Sequence, residues 1–247
     1  VNPLAYRLAA MANLGVEDYL AAGENFDRAE ELRPLYQFDF ESIREEVWID
    51  LYQSAIPSVN TGDYEGAAAI YVDANAIYKQ RPEAMIMLSQ IQAQLGQYDE
   101  SVENIDAAFA ILDSDIMLET DEETAASWRE QAEPLPALRA QVLAAAGRFE
   151  EAIADYRTLL VDDPTNTQAK RDLATMLIQT GAEAEGFEVF EELLQDPAAL
   201  SGEDLYAIGV GFYQGSAYGR AAAAFQMAGE KNRYDRDSIE LWARSLQ

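Results

Sequence analysis

The feature that most constrains the fold is a segment that recurs along the chain at a fixed interval. The segment GRFEEAIADYRTLLVDDP begins at Gly147. Similar copies begin at Gly62, Gly96, Gly181 and Ser216, and a degenerate copy begins at Glu17. Intervals of 34 residues separate three glycine pairs: Gly62/Gly96, Gly147/Gly181 and Gly181/Gly215. A period of this length is typical of solenoids, in which each repeat packs only against its neighbours.

Each copy carries three apolar or small residues at spacings of four and then three. These spacings place the three side chains on one face of an α-helix. The sets are Ala22/Phe26/Ala29, Ala67/Tyr71/Ala74, Ser101/Ile105/Ala108, Ala152/Tyr156/Leu159, Gly186/Phe190/Leu193 and Ala221/Phe225/Ala228. A second series of small residues precedes each turn: Ala10, Ala55, Ser89, Ala140, Ala174 and Gly209. Because small residues let two helices approach closely, the pattern predicts antiparallel helix pairs.

The whole pattern resembles the tetratricopeptide repeat family from Pro3 to about Arg233. The first aromatic of the family pattern is supplied by Tyr19, Tyr64, Tyr98, Phe149 and Tyr218. The family's early tryptophan is absent from every repeat, and Pro57 lies inside a first helix. The resemblance implies an all-α fold, a right-handed superhelical solenoid of antiparallel helix pairs.

We predict a single solenoid over residues 1–247. Its six repeats are expected at about 3–36, 48–81, 82–115, 133–166, 167–200 and 202–235. Residues 236–247 are predicted to form a half-repeat or a capping helix, with Ile239, Trp242, Ala243 and Leu246 at the apolar and small positions. Since the sequence ends there without a turn or second helix, we expect a segment of a longer repeat protein rather than a terminal cap.

Two insertions interrupt the array, at 37–47 and 116–132. Aromatic residues are dense in and beside the first insertion: Tyr36, Phe38, Phe40 and Trp48. They indicate either a locally thickened core or an exposed binding knob. In the second insertion, Thr120 and Glu123 have the spacing of a capping box ahead of a short helix. Trp128 in that helix either packs against a neighbouring helix or contacts a partner.

The charge balance excludes some partners. The chain has 45 acidic and 17 basic residues and a formal net charge of −28. Such a field repels nucleic acid and anionic lipid, and no apolar run is long enough to cross a bilayer. We therefore expect no nucleic-acid partner and no direct membrane insertion. The acid-rich, lysine-poor composition favours a periplasmic or extracellular bacterial location over the cytoplasm, although a GC-rich genome would produce a similar composition.

The residue types present leave little room for catalysis. Without histidine or cysteine, the chain cannot assemble Ser-His-Asp or Cys-His machinery, nor a metal site built on those ligands. It has no glycine-rich phosphate loop. Adjacent carboxylates such as Asp162 and Asp163 could in principle act as an acid and a base. Among 45 acidic residues, however, such pairs are expected by chance. We expect no enzyme activity, no catalytic residue, no cofactor and no metal.

The resemblance also indicates where a partner would bind. In the family, the first helices of successive repeats line the concave face, and partners dock there. The residues carried over to that groove are Tyr52, Ile86, Gln90, Gln141, Arg171, Tyr206 and Tyr213. Only Arg7 and Arg171 are basic at such positions, so a clamp for a C-terminal carboxylate is not expected. The groove instead suits a peptide or helix with apolar anchors and amide hydrogen bonds.

Two classes of function therefore remain open. The first is a protein–protein interaction scaffold that binds a peptide or helix of a partner, as a segment of a larger bacterial cell-envelope or assembly protein. The alternative is a structural building block that self-associates through its ends or sides into an oligomer or filament, since contacts that do not close make filaments.

Overall fold

The structure, a computed structural model, describes residues 2–231 and Arg244. That part of the chain contains fourteen α-helices and no β-strand. Apart from Arg244, the half-repeat predicted at 236–247 lies outside the described residues. The helices fall into an N-terminal unit, residues 1–135, and a C-terminal unit, residues 136–247.

The N-terminal unit is built from three helix pairs and two additional short helices. Its helices are α1 (Pro3–Leu14), α2 (Tyr19–Leu32), α3 (Tyr36–Thr61), α4 (Tyr64–Ile77), α5 (Glu83–Leu95), α6 (Tyr98–Leu112), α7 (Ile116–Glu119) and α8 (Glu122–Ala132). The pairs are α1 with α2, α3 with α4, and α5 with α6, and α4 packs against both α2 and α5. Helix α8 packs against α5 and α6.

The C-terminal unit continues the same plan. Its helices are α9 (Leu135–Ala145), whose first residue belongs to the N-terminal unit, α10 (Phe149–Asp162), α11 (Thr167–Gln179), α12 (Glu183–Leu193), α13 (Gly202–Gln214) and α14 (Tyr218–Lys231). Helix α11 pairs with α12 and α13 pairs with α14. Helix α11 also contacts α10 and α13. The all-α fold of paired helices predicted from the repeat is confirmed.

The turn inside each helix pair contains one residue with left-handed backbone. Four of these residues are the predicted turn glycines, Gly62, Gly96, Gly147 and Gly181. In the other two turns the left-handed residue is Glu17 or Ser216, each with φ of 60°. Ser216, rather than Gly215, therefore takes the sixth turn position, and Gly215 has φ of −79°. A side chain at such a φ is strained, whereas glycine is not.

The small residues predicted at the helix crossings are buried. Thirteen have no exposed surface: Ala10, Ala22, Ala29, Ala55, Ala67, Ala74, Ser89, Ser101, Ala108, Ala140, Ala152, Ala174 and Ala221. The large side chains beside them fill the core, among them Phe26, Tyr71, Phe190 and Phe225. The repeat pattern therefore predicted the packing at these crossings correctly.

The first insertion extends a helix rather than forming a loop. Helix α3 runs without a break for 26 residues and includes Pro57 near its end. Tyr36, Phe40 and Trp48 are buried, while Phe38 is 75% exposed. The prediction of a locally thickened core is confirmed for three of the four aromatic residues.

The predicted capping box at Thr120 is wrong. Thr120 follows α7, and the N-cap of α8 is Asp121, whose side chain accepts a hydrogen bond from the backbone N–H of Thr124. A carboxylate one residue later caps the helix equally well, because Asp and Thr both serve as N-caps. A capping box does occur at α13, between Ser201 and Asp204.

Candidate protein-binding surface

In the C-terminal unit, the candidate surface is formed by the first helices α11 and α13, which lie against each other. Tyr206, Val210 and Tyr213 follow one another at spacings of four and three, so they share one side of α13. All three are half-buried. The ring of Tyr206 lies 5.7 Å from Phe225, and the ring of Tyr213 lies 5.3 Å from Tyr218. These contacts hold two aromatic side chains in place at a partly exposed surface.

Arg171 links the two helices of this surface. Its guanidinium donates to Asp204 on α13 at 2.7 Å and also to Gln168. Burial alone would raise the pKa of Asp204, but hydrogen bonds from Ser201 and the charge of Arg171 outweigh it and lower that pKa. The charge of Arg171 is thus already compensated within the protein. Arg171 therefore connects α11 to α13 through an ion pair and is not an unpaired cation at the surface.

The remaining predicted residue of this unit is Gln141. It lies on the first helix α9 and is exposed. Gln141 therefore lies on a different first helix from the tyrosines of α13.

In the N-terminal unit, Tyr52 lies in an aromatic stack on α3. Its ring is 5.0 Å from Trp48 in a nearly parallel arrangement and 5.6 Å from Tyr71. Burial, followed by the negative charge of Glu83, raises the pKa of Tyr52. Its phenol is therefore neutral near pH 7 and only half-buried, so it combines an apolar ring with a hydrogen-bonding group.

The two predicted residues of α5 differ in accessibility. Gln90 is half-buried and offers an amide at the surface. Ile86 is only 2% exposed, so in this structure it belongs to the core and not to an accessible surface. Helix α8 of the second insertion packs against α5. Trp128 of α8 is 4% exposed, and the interpretation that it packs against neighbouring helices is confirmed.

Sequence reasoning missed Arg81, which connects both insertions. Its guanidinium carbon lies 4.6 Å from the ring centre of Trp48 and 5.9 Å from that of Trp128. It donates to Glu45 at 3.0 Å and to Glu83 at 2.7 Å. Arg81 is the last residue of the repeat predicted at 48–81, just before Pro82, and no periodic pattern marks it.

The described residues contain no cluster of three or more acidic side chains arranged to hold a metal ion. None of the helices in this part of the chain is both long enough and apolar enough to span a membrane.

Helix pairs that cross at small residues and recur at a constant interval define the class of α-helical repeat proteins. Within that class, the family model described as tetratricopeptide repeat matches residues 60–117. No curated protein sequence matches the chain significantly. Residues 60–117 therefore match the tetratricopeptide repeat model, and the chain has the fold of tetratricopeptide repeat proteins.

Solved structures are similar to this fold at low sequence identity. YrrB, described as a tetratricopeptide repeat protein with an unusual peptide-binding site, aligns with a TM-score of 0.56 at 16% identity, over 83% of this chain and 96% of YrrB. MamA aligns with a TM-score of 0.57 at 13% identity, over 77% of this chain and 97% of MamA. PilF of Pseudomonas aeruginosa aligns with a TM-score of 0.51 at 15% identity, over 82% and 84% respectively.

These comparisons establish the fold. Tetratricopeptide repeat proteins are typically non-enzymatic scaffolds that bind other proteins. The absence of catalysis in this particular chain stays a prediction.

Proposed function

We propose that this chain binds a peptide or helix of a partner protein on the first-helix faces of its two units. The observation that carries the proposal is the row of half-buried Tyr206, Val210 and Tyr213 on α13, beside Arg171 on α11. Aromatic side chains with one accessible edge and a polar tip are typical of interface hot spots. A peptide-binding site in YrrB is consistent with this use of the fold.

The contacts behind the tyrosines support the proposal further. Because Phe225 and Tyr218 already restrict the two tyrosine rings, little side-chain entropy is lost when a partner binds. In the N-terminal unit, Tyr52 is restricted in the same way by Trp48, and Gln90 supplies an amide. We assign direct contact to Tyr52, Gln90, Gln141, Tyr206 and Tyr213. Arg171 and the buried Ile86 are assigned a supporting role, Arg171 through its ion pair with Asp204 and Ile86 through packing in the core.

The proposal includes a setting for the interaction. The acid-rich surface with only three lysines suits a periplasmic or extracellular environment. We propose that the chain belongs to a larger bacterial cell-envelope or assembly protein. Fractionation of the native protein tests this part separately, and recovery only in the cytoplasmic fraction would contradict it.

Site-specific photo-crosslinking tests the binding surface in cell extract, where the partner is present at its natural concentration. A benzoylphenylalanine placed at Tyr213 or Gln90 should capture a protein there. The same group at Glu188 or Glu150, on the second helices α12 and α10, serves as the matched control. Crosslinks from the second helices alone would place the partner on the opposite side of the helix pairs and refute the proposal.

Self-association remains a second candidate because of one apolar helix face. Leu4, Leu8 and Met11 recur at spacings of four and three on α1 and are all exposed, Leu8 by 62%. Beside this face, Ala5 and Ala12 are also exposed. The residues at the same repeat positions in α5, Ala84 and Ile91, are buried. Exposed apolar faces of this kind mark interaction sites.

Sedimentation over a concentration series distinguishes this candidate from a monomeric scaffold. If copies associate through α1, Leu8→Glu should abolish the oligomer. Val161→Glu, at an apolar residue exposed on α10, should not affect it. Added salt should strengthen such association, because it screens the repulsion between two acidic chains. A monomer at all concentrations and salt levels would exclude self-association.

A further inference from the structure

The junction between the first two helix pairs differs from a later junction in the same unit. On α5, Ala84 and Leu88 are buried, and the preceding second helix, α4, packs against this helix. The same repeat positions of α3 hold Asp50 and Ser54, and both are exposed. The preceding second helix here, α2, packs mainly against α4 and less against α3. A face of α3 that corresponds to a helix-covered face of α5 is therefore left open.

Gly23 of α2 shows how the sequence permits this arrangement. A Cβ atom at Gly23 would lie 2.1 Å from the backbone carbonyl oxygen of Ala76 on α4, which is far inside van der Waals contact. Only a residue without a Cβ atom allows the two helix backbones to approach so closely. Helix α2 can therefore lie directly on α4 instead of covering α3.

The open face of α3 forms one wall of a cleft of about 330 Å³, which we call the α2–α3 cleft. It is lined by three residues around the turn between α1 and α2 and by a row on α3: Leu14, Glu17, Tyr19, Val47, Asp50 and Leu51. The four apolar or aromatic members of this set are half-buried and pack against the core of the unit. The volume lies within the usual range of ligand pockets.

The turn beside the α2–α3 cleft exposes two large apolar residues. Val16 is 73% exposed and Leu20 is 53% exposed. Later repeats carry an acid at the position of Leu20, as in Glu65 and Asp99. The first repeat therefore has an apolar residue at an edge where the others have a solvated charge. Apolar side chains exposed together beside a cleft are typical of an interaction site.

The charge of the α2–α3 cleft is negative and uncompensated. The carboxylates of Glu17 and Asp50 make no ion pair and no side-chain hydrogen bond in the described part of the chain. The described residues that line the cleft include neither arginine nor lysine. Burial raises the pKa of the Tyr19 phenol, and the charges of Glu17, Asp73 and Asp50 raise it further. A positively charged occupant therefore relieves the repulsion among acids at this site.

We infer that the α2–α3 cleft binds a basic amphipathic helix of a partner protein. The occupant is a helix because a helix, α4, covers the corresponding face of α5. Its apolar residues contact Val16 and Leu20 at the edge of the cleft. A lysine or arginine beside them lays its apolar stem along the walls and brings its charged end to Glu17 and Asp50.

Fluorescence polarisation with a designed peptide tests the charge complementarity. The probe is labelled acetyl-Gln-Ala-Leu-Arg-Gln-Leu-Leu-Arg-Gln-Leu-Leu-Gln-Ala-amide, in which the arginines follow one edge of a helical leucine face. The matched control replaces both arginines with glutamine. The arginine peptide should bind roughly fivefold more tightly, because glutamine does not pair with Glu17 and Asp50. Equal affinities of the two peptides, or no binding of either, would overturn the inference.

Two double variants distinguish the α2–α3 cleft from general attraction to an acidic chain. Glu17→Gln with Asp50→Asn should weaken binding of the arginine peptide by roughly fivefold. Glu150→Gln with Glu188→Gln removes the same charge from the other unit and should leave the affinity unchanged. If the two double variants bind the peptide equally well, the cleft is not the site.

Ser54→Trp tests the shape of the cleft independently of its charge. Ser54 lines the cleft and is exposed, so a tryptophan there fills the cleft without entering the core. This variant should weaken binding of the arginine peptide by roughly tenfold. Thr158→Trp, at an exposed position of α10, is the matched control and should have no effect. Unchanged binding in a Ser54→Trp protein that a thermal melt shows to be folded would contradict the inference.

The inference rests on the proposed function only in that the partner is a protein, and the same assay separates the two. Tyr206 and Tyr213 belong to the other unit, so Tyr206→Ala with Tyr213→Ala should leave the affinity for the arginine peptide unchanged. If the tyrosine substitutions weaken binding and the cleft substitutions do not, the peptide binds the C-terminal unit. In that case the inference is wrong and the proposed function stands.

Discussion

Arg44 is a buried residue whose hydrogen bonds join three helices of the N-terminal unit. It is 6% exposed and donates to the carbonyl of Ile77 at 2.6 Å, to Glu30 at 2.8 Å and to Asp27 at 2.6 Å. One side chain thereby connects α3 to α2 and to the end of α4. Arginine suits such a site because its planar group carries several donors in fixed directions.

We expect Arg44→Ala to lower the free energy of unfolding by about 2–3 kcal/mol, because Glu30 loses its partner and Asp27 keeps only Lys79. The figure lies at the low end for broken buried pairs, since both carboxylates keep some contact with water. Urea denaturation measures the change. Arg28→Ala, which breaks an exposed pair with Glu31, is the control and should have a much smaller effect. Equal effects of the two substitutions would contradict this role of Arg44.

Asp27 makes the same network sensitive to acid. Burial alone would raise the pKa of Asp27, but hydrogen bonds from Lys79 and Arg44 outweigh it and lower the pKa. A lowered pKa in the folded state contributes stability that is complete above the unfolded value, roughly 4. That stability is lost as pH falls through the folded value.

The stability advantage of the original chain over Asp27→Asn should therefore be constant above about pH 5 and shrink as the pH falls below about 4. Urea midpoints of both proteins, measured from pH 7 to pH 3, provide the comparison. An advantage that does not change with pH would show that the carboxylate of Asp27 is not selectively stabilised in the folded state.

At this scale, sequence reasoning succeeds where a residue's role is set by its repeat position. The crossings at Ala22 and Ala67 were predictable because only a small side chain fits there. The roles of Arg44 and Arg81 were not predictable, because their partners lie on other helices and their ion pairs do not recur from repeat to repeat. Arg171 was placed on the correct helix, but its pairing with Asp204 depends on how α11 meets α13.

At the scale of elements, the turns inside the helix pairs are a testable unit. Six turns share one left-handed position, and Glu17 and Ser216 occupy it with a side chain. A left-handed residue other than glycine costs about 1–2 kcal/mol. Ser216→Gly and Glu17→Gly should each raise the free energy of unfolding by about 0.5–1 kcal/mol, after the greater freedom of glycine in the unfolded chain is subtracted.

The reverse substitution is the matched control for those turns. Gly62 has φ of 77° and no atom close to the position of an added Cβ, so Gly62→Ala introduces strain without a clash. It should lower the free energy of unfolding by about 1 kcal/mol. Thermal melts of the three variants measure these changes in stability. If Gly62→Ala stabilised the protein, the interpretation that all six turns require a left-handed residue at this position would be wrong.

The insertions show where sequence patterns are insufficient for elements. The aromatic residues of the first insertion correctly predicted a thicker core, yet the helical period could not show that α3 would run unbroken for 26 residues. The second insertion was predicted as a short helix capped by Thr120, but α8 is capped by Asp121, one residue later. Its packing against α5 is a long-range contact with no local sequence signal.

At the scale of the whole molecule, the dominant property is the formal net charge of −28. Close carboxylates repel one another in the folded state more than in an expanded chain. The midpoint of thermal unfolding should therefore rise when salt increases from roughly 20 to 500 mM, as the screening length falls well below the size of the protein. A falling midpoint would mean that ion pairs such as Arg44 with Asp27 outweigh the general repulsion.

The same charge bears on partners. We expect no binding of DNA or RNA at moderate salt, because the chain's net negative charge repels the phosphates. The family resemblance and the fold could be predicted from the sequence, because the same small and aromatic packing residues recur in every repeat. The partner was not, because its identity depends on surface side chains that the repeat leaves free to vary.

The most direct test of the central claim is the affinity of a captured partner for four purified variants. Tyr206→Ala and Tyr213→Ala alter the first-helix face of the C-terminal unit, while Glu150→Gln and Glu188→Gln alter second helices. Each variant is first shown by thermal melt to be folded, and isothermal titration calorimetry then gives its Kd. The account predicts that each tyrosine substitution weakens binding by roughly tenfold or more and that neither glutamate substitution does. Weaker binding in the glutamate variants with unchanged binding in the tyrosine variants would contradict it.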